Sequence, residues 1–155
     1  MQFGGRYLFH APRGAVWAAL NDTGVLKAAI PGCKRIDWAG DNALELEIKV
    51  NLGLVQPVFS GDLTLSNVIP AHRYTLSGRG RGGVLGKAEG AAHVVIEDAG
   101  ADTVLHFTAV GGADGSIMKL GQALLGNSAQ KVIDGFFRRF GEAMGVAVDP
   151  MAPSG

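Results

Sequence analysis

Hydrophobic residues recur every three or four positions over residues 116–144, the period of an α-helix. Ile117, Leu120, Leu124, Val132, Ile133, Phe136, Phe137, Phe140 and Met144 form the stripe. Lys119, Gln122, Gln130, Lys131, Asp134, Arg138, Arg139 and Glu142 fill the other side. Asp114 or Ser116 can accept a hydrogen bond from an unpaired N–H of the first turn, and Gly145 stands where a left-handed C-terminal cap belongs. Such a helix is roughly 40 Å long at 1.5 Å per residue. Gly121, Gly126 and Gly135 each weaken it by about 1 kcal/mol against alanine. It therefore needs tertiary packing, which the rest of the chain must supply.

Most of what precedes it has period two. Residues 2–10 alternate Phe3, Tyr7 and Phe9 against polar neighbours and predict a first strand. Pro12 opens a short helix with Val16, Trp17 and Leu20 on its apolar side. A break at 21–24 leads to a second short helix carrying Val25, Leu26, Ala29 and Ile30, stopped by Pro31-Gly32. Strands follow at 33–38, 43–52, 56–69, 73–79, 87–97 and 103–111. The clearest is 43–52, where Leu44, Leu46, Ile48, Val50 and Leu52 alternate with Glu45, Glu47, Lys49 and Asn51. In 56–69 the alternation breaks before Val68. Residues 78–83 read as a mobile loop. The pattern predicts an α+β fold, a curved antiparallel sheet of about six to seven strands wrapped on the long C-terminal helix, with two short helices after strand 1. Gly61, Gly78 and Gly90 are candidates for bending the sheet. One domain covers residues 1–145, and residues 146–155, with Pro150 and Pro153, read as a flexible tail.

Charge narrows the function. Acidic and basic residues balance at 14 each in 155 residues, so the basic footprint of a nucleic-acid binder is missing. Only 18% of residues are charged and 47% are apolar, a surface suited to a ligand or partner. The lone Cys33 excludes an internal disulfide and a multi-cysteine metal site, and fits a reducing cytoplasm. No apolar run reaches the length of a membrane span, and no signal peptide is legible.

Several blocks resemble a known family. Val16-Trp17-Ala18-Ala19-Leu20-Asn21-Asp22, Val25-Leu26 and above all Ala29-Ile30-Pro31-Gly32-Cys33 are similar to the CoxG-like family, named for a component of carbon monoxide dehydrogenase. Gly78-Arg79-Gly80, Gly86-Lys87-Ala88-Glu89-Gly90, Thr103-Val104-Leu105 and Phe136-Phe137 support the match. The resemblance covers residues 1–144. It implies the helix-grip fold of the START and Bet v 1-like superfamily, with an apolar cavity between sheet and helix. It also implies association with a carbon monoxide dehydrogenase-type molybdenum hydroxylase, its recruitment to the inner face of the cytoplasmic membrane, and handling of a quinone or lipid. Many relatives carry a C-terminal anchor, for which residues 146–155 show no apolar segment.

The candidate ligand-binding residues are Trp17, Leu20, Leu26, Ile30, Val50, Leu52, Val58, Phe59, Leu120 and Leu124. Gly121 and Ala123 leave space near the helix start, whereas Phe136, Phe137 and Phe140 fill the other end. Each of these residues also suits ordinary core. Arg79 and Arg81, on the 78–83 loop, are the candidate partner-docking residues, suited to an acidic partner or lipid headgroups, with a plain solvated turn as the alternative. Gly78-x-Gly80-x-x-Gly83 matches a dinucleotide fingerprint formally, but a strand rather than a helix is predicted after it. His93 and His106 fall on neighbouring strands, on the outer face, two ligands where zinc wants three or four. No metal site or catalytic constellation is predicted, and no cofactor is required beyond a bound quinone or lipid. The reading is a non-enzymatic accessory protein. The alternatives are a cyclase- or hydrolase-like enzyme acting on an apolar substrate and an adaptor with a filled core; a His, Asp or Glu facing the cavity would favour the enzyme.

Overall fold

The computed structural model describes residues 2–50, 53–82, 87–111 and 129–151. Strand β1 (Gln2–Phe9) leads into helices α1 (Arg13–Leu20) and α2 (Thr23–Ala29). Six strands follow: β2 (Cys33–Gly40), β3 (Ala43–Lys49), β4 (Val58–Ile69), β5 (Arg73–Arg81), β6 (Lys87–Ala99) and β7 (Asp102–Gly111). Helix α3 (Ala129–Met144) and a short strand β8 (Val148–Met151) complete the described chain. The strands form one eight-stranded sheet in the order β2-β3-β4-β5-β6-β7-β1-β8. Consecutive strands pair as antiparallel neighbours from β2 to β7, and β1 closes against β7.

The sequence dictates these elements locally. Asp22 caps α2, its Oδ1 accepting from the N–H groups of Gly24 and Val25. Gly32 turns the chain out of α2 with φ +74°, and its carbonyl accepts from the N–H of Lys49 at 2.8 Å. Period-two alternation puts Leu44, Leu46, Ile48 and Val50 on the buried side of β3, with Glu45 and Lys49 in solvent. The break before Val68 is a register shift between Ser66 and Ile69, with Asn67 at φ 53°. Helix α3 ends as expected on Gly145 at φ +77°. The N–H of Val146 bonds the carbonyl of Gly141 and that of Gly145 bonds Glu142, satisfying the last carbonyls.

The core sits where α3 crosses β1 and β7. Phe137 is 2% exposed and lies 4.4 Å from the ring of Tyr7, with Phe107 edge-on at 5.4 Å and Phe9 at 6.3 Å. Helix α2 flanks α3, and Arg139 Nε donates to the carbonyl of Ala29 at 2.9 Å.

Two expectations need correction here. The sequence predicts a flexible tail from residue 146, but Val148–Met151 pairs with β1. Val148 packs onto Gly141, where any added methyl would collide with it. Gly61, Gly78 and Gly90 do not form bulges; each sits in regular pairing. The irregularities fall instead in β2 and late in β4.

His10 pins β8 in place. Its Nε2 meets Asp149 Oδ2 at 2.6 Å and its Nδ1 lies 3.3 Å from Asp102 Oδ2. The Asp149 hydrogen bond and the charges of both carboxylates raise its pKa above the ordinary 6.5. A raised pKa means that the stabilisation is complete below the unfolded value and fades as pH rises through the folded one. We expect an NMR titration of His10 to give a midpoint above 6.5. The amide protection of β8, corrected for intrinsic exchange, should fall across that midpoint. A midpoint at or below the ordinary value, or β8 protection that ignores it, would contradict the bridge.

Candidate functional site

The inward face of the sheet changes character along its strands. Register aligns Leu44, Leu63, Gly78, Gly90 and Gly111 in one cross-strand row, and Leu46, Gly61 and Gly80 in the next. Leucine on β3 thus gives way to glycine, from β5 onward in the first row and from β4 in the second. Ala92 and Ala109, opposite each other, continue the small surface and are buried. Side chains from β4 lean over part of it. A methyl on Gly80 would meet the Phe59 ring at 2.6 Å, and one on Gly78 would meet Leu63 at 2.8 Å. Glycine at these positions lets Phe59 and Leu63 lie flat on the neighbouring strand.

Over its described residues this corrects the reading of 78–83 as a mobile loop; Gly83 lies outside them. Gly78, Gly80 and Gly82 alternate with Arg79 and Arg81, and β5 continues through Arg81. Both arginines point outward and are exposed. Arg79 is the register partner of Asp62 and Glu89, and Arg81 of Ser60 and Lys87. Together with Arg35 and Glu45 they border an open outer groove of about 480 Å³. The groove carries both signs of charge rather than a basic patch. Gly78 and Gly80 of the formal dinucleotide fingerprint lie on this strand, Gly83 lies outside the described residues, and the next described element is β6 rather than a helix.

Of the ten candidate ligand residues, Leu20, Val50 and Phe59 are buried in the core. Trp17, Leu26 and Ile30 are half-buried against it, and the Trp17 ring stands edge-on to Tyr74 at 5.7 Å. Val58 belongs on the outer face: it precedes inward Phe59 on a strand, pairs with Lys49 and is 40% exposed. It leaves the candidate set. Leu52, Leu120 and Leu124 lie outside the described residues, as does the expected helical stretch 116–128.

Polar groups near the interior are few. Among the described residues, Thr103 is the buried polar side chain other than tyrosine, and its hydroxyl donates to the carbonyl of Ala11 at 2.8 Å. Burial pushes the Tyr74 hydroxyl well above its ordinary pKa, so it stays neutral. The Tyr7 hydroxyl donates to Asp134 at 2.7 Å across 127 residues of sequence. That pair lies in an open cleft of about 410 Å³ between α3 and β8, which Lys131, Arg138 and Arg139 also line. No local pattern in the sequence announces this cleft. His93 and His106 share the outer face of β6 and β7 as expected. His93 pairs with the Thr75 hydroxyl and His106 with Glu97, and among the described residues no cluster of three metal-ligating groups forms. Cys33 is half-buried, and burial raises its thiol pKa, the behaviour of a small hydrophobe rather than a nucleophile.

The model of the carbon monoxide dehydrogenase CoxG family matches residues 5–145. The chain belongs to the CoxG family. Membership implies an accessory role to carbon monoxide dehydrogenase. Solved structures support the fold of this CoxG-family domain. A conserved protein from Geobacillus kaustophilus is 20% identical, with a TM-score of 0.76 over 96% of this chain and 99% of its own. A Chromobacterium violaceum protein is 12% identical, with a TM-score of 0.67 over 93% and 95% of the two chains. A Deinococcus radiodurans protein is 14% identical, with a TM-score of 0.60 over 94% and 98%. No match was found among curated protein sequences. Among the described residues, no helix is long and apolar enough to cross a membrane.

Proposed function

We propose that this CoxG-family domain holds a hydrophobic small molecule, a quinone or lipid, between sheet and helix. In doing so it assists a carbon monoxide dehydrogenase-type molybdenum hydroxylase and brings it to the membrane. The observation that carries the ligand reading is the small floor of the inner face. Gly90, Ala92 and Ala109 bring almost no side chain to that face, whereas the other end of the face is packed by Phe137 and its aromatic neighbours. An apolar ligand placed over such a floor gains about 25 cal/mol for each Å² it removes from water. The partner reading rests on the family match.

The non-catalytic reading rests on the family match. An enzyme would need a His, Asp or Glu within reach of substrate for general acid–base work. Organic extraction of the purified protein followed by mass spectrometry tests the ligand. The expected result is a quinone or lipid at near one per chain. An empty extract, with no thermal shift on adding menaquinone or ubiquinone, rejects the carrier in favour of an adaptor with a filled core. Co-purification with the molybdenum enzyme tests the partner separately.

A further inference from the structure

The chain is neutral overall, yet its described charges separate along the strands. Where β3 leads into β4, the neighbouring strand ends carry exposed Lys34, Lys49, Arg81 and Lys87. The acids nearest them lie one step further in: Glu47 is ion-paired with Arg35, and Glu89 is the register partner of Arg79. The opposite end carries Asp41, Asp98, Asp102 and Asp149 in and beside its turns, partly balanced by Arg13, Arg73 and His10.

At the cationic end, the described residues that lead into β4, 53–57, expose apolar side chains. Leu54 is 104% exposed and Val55 55%, and Val58, next to Lys49 by register, is 40% exposed. One exposed leucine is ordinary. Three large apolar residues within five positions, bordered by cations and set at one end of a dipolar molecule, are not. Water gives nothing in return for that arrangement. A bilayer interface does, because it buries apolar side chains at the headgroup boundary while anionic headgroups attract lysine and arginine.

We propose that residues 53–58, leading into β4, are a membrane-contact finger, with Leu54 and Val55 entering the headgroup region of an anionic bilayer and Lys49, Arg81 and Lys87 binding its headgroups. The inference rests on the carrier reading above and names the surface through which the carrier meets its source. The geometry joins the two. Gly80 and Gly61, the small positions on which Phe59 and Leu46 lean, are neighbours in sequence and register of Arg81 and Ser60, so the docked end adjoins the glycine rows of the inner face.

The test is co-sedimentation of the intact protein with phosphatidylcholine vesicles, with and without phosphatidylglycerol, at low and high salt. Wild type should sediment with the anionic vesicles and release at high salt, where exposed charges are screened. Leu54→Ser with Val55→Ser should weaken partitioning by about tenfold or more. Lys49→Gln with Lys87→Gln should weaken it by about fivefold per charge and only on anionic vesicles. All four positions are exposed, so the variants should melt as wild type does. Wild type that ignores anionic vesicles, that binds neutral ones equally well, or that binds as tightly after Leu54→Ser and Val55→Ser overturns the finger. If the wild type ignores vesicles but captures the molybdenum enzyme through Leu54, the surface is a protein-docking site. Menaquinone delivered from detergent micelles separates the two claims. Protein that holds quinone but ignores vesicles loses the finger alone, and protein that binds vesicles but never quinone loses the carrier reading alone.

Discussion

Replacing Phe137 by alanine lowers the stability of the domain by about 3–5 kcal/mol, the range for deleting a fully buried phenylalanine. Its neighbours place Phe137 in the upper part of that range. It stacks on Tyr7 and takes Phe107 and Phe136 on its edges. These rings come from β1, β7 and α3, so one truncation loosens three elements at once. The backbone of a strand pair and a helix cannot collapse far into the hole, and the cavity cost stays high. Domains of this size are stable by only about 5–15 kcal/mol, so the variant should lose much of its folded range in urea. Phe136→Ala is the comparison. Phe136 is half-buried, and its loss should shift the urea midpoint visibly less. Equal shifts for the two would show that the core is not centred on Phe137.

Gly32→Ala is the second large effect, about 2–4 kcal/mol. Part of it is conformational, since φ is +74° and an L residue there costs roughly 1–2 kcal/mol. The rest is steric. A methyl on Gly32 collides with the carbonyl of Lys49, in the same pairing that carries the Lys49 N–H to Gly32 O bond. Backbone cannot rotate aside as a side chain can, so the β2–β3 pairing itself must shift. Two other glycines separate the terms. Gly145 has φ +77° and open space around it, so alanine there meets only the conformational cost. Gly14 lies in α1 with nothing within 4 Å, and alanine should stabilise by about 0.5–1 kcal/mol. Thermal melts should therefore order the variants Gly14→Ala, wild type, Gly145→Ala, Gly32→Ala from most to least stable. Gly32→Ala melting at or above Gly145→Ala would rule out the close approach to Lys49.

The architecture is legible in the sequence because its signals are local. Alternation in residues 43–50 needs only the pleat of one strand, and the Pro31-Gly32 stop needs only one left-handed residue. The broken alternation before Val68 announces the Asn67 irregularity for the same reason. Gly78 to Gly82 misleads because glycine reads first as a breaker. Its own spacing, glycine at every second residue with arginine between, carries the strand period. The purpose of that spacing depends on Phe59 and Leu63 of the neighbouring strand, which no local window contains. Val58 fails for a simpler reason, since two consecutive strand residues cannot both face inward. Tyr7 and Asp134, and the bridge from His10 to Asp102 and Asp149, join residues far apart in the chain and leave no trace in spacing.

The strand order has a consequence for how copies of this protein meet. It leaves β2 and β8 as the two margins of the sheet. An unprotected margin is a template on which a second molecule can add its own strand and begin an aggregate. On β2, register shifts near Cys33 and Trp38 interrupt the straight run of free N–H and carbonyl groups, and Lys34 and Arg35 put charge along it. On β8, Pro150 offers no N–H and the strand is only four residues long. Both margins therefore resist lengthening, which keeps a glycine-rich, charge-poor chain from polymerising and leaves its loops and faces as the surfaces open to other molecules.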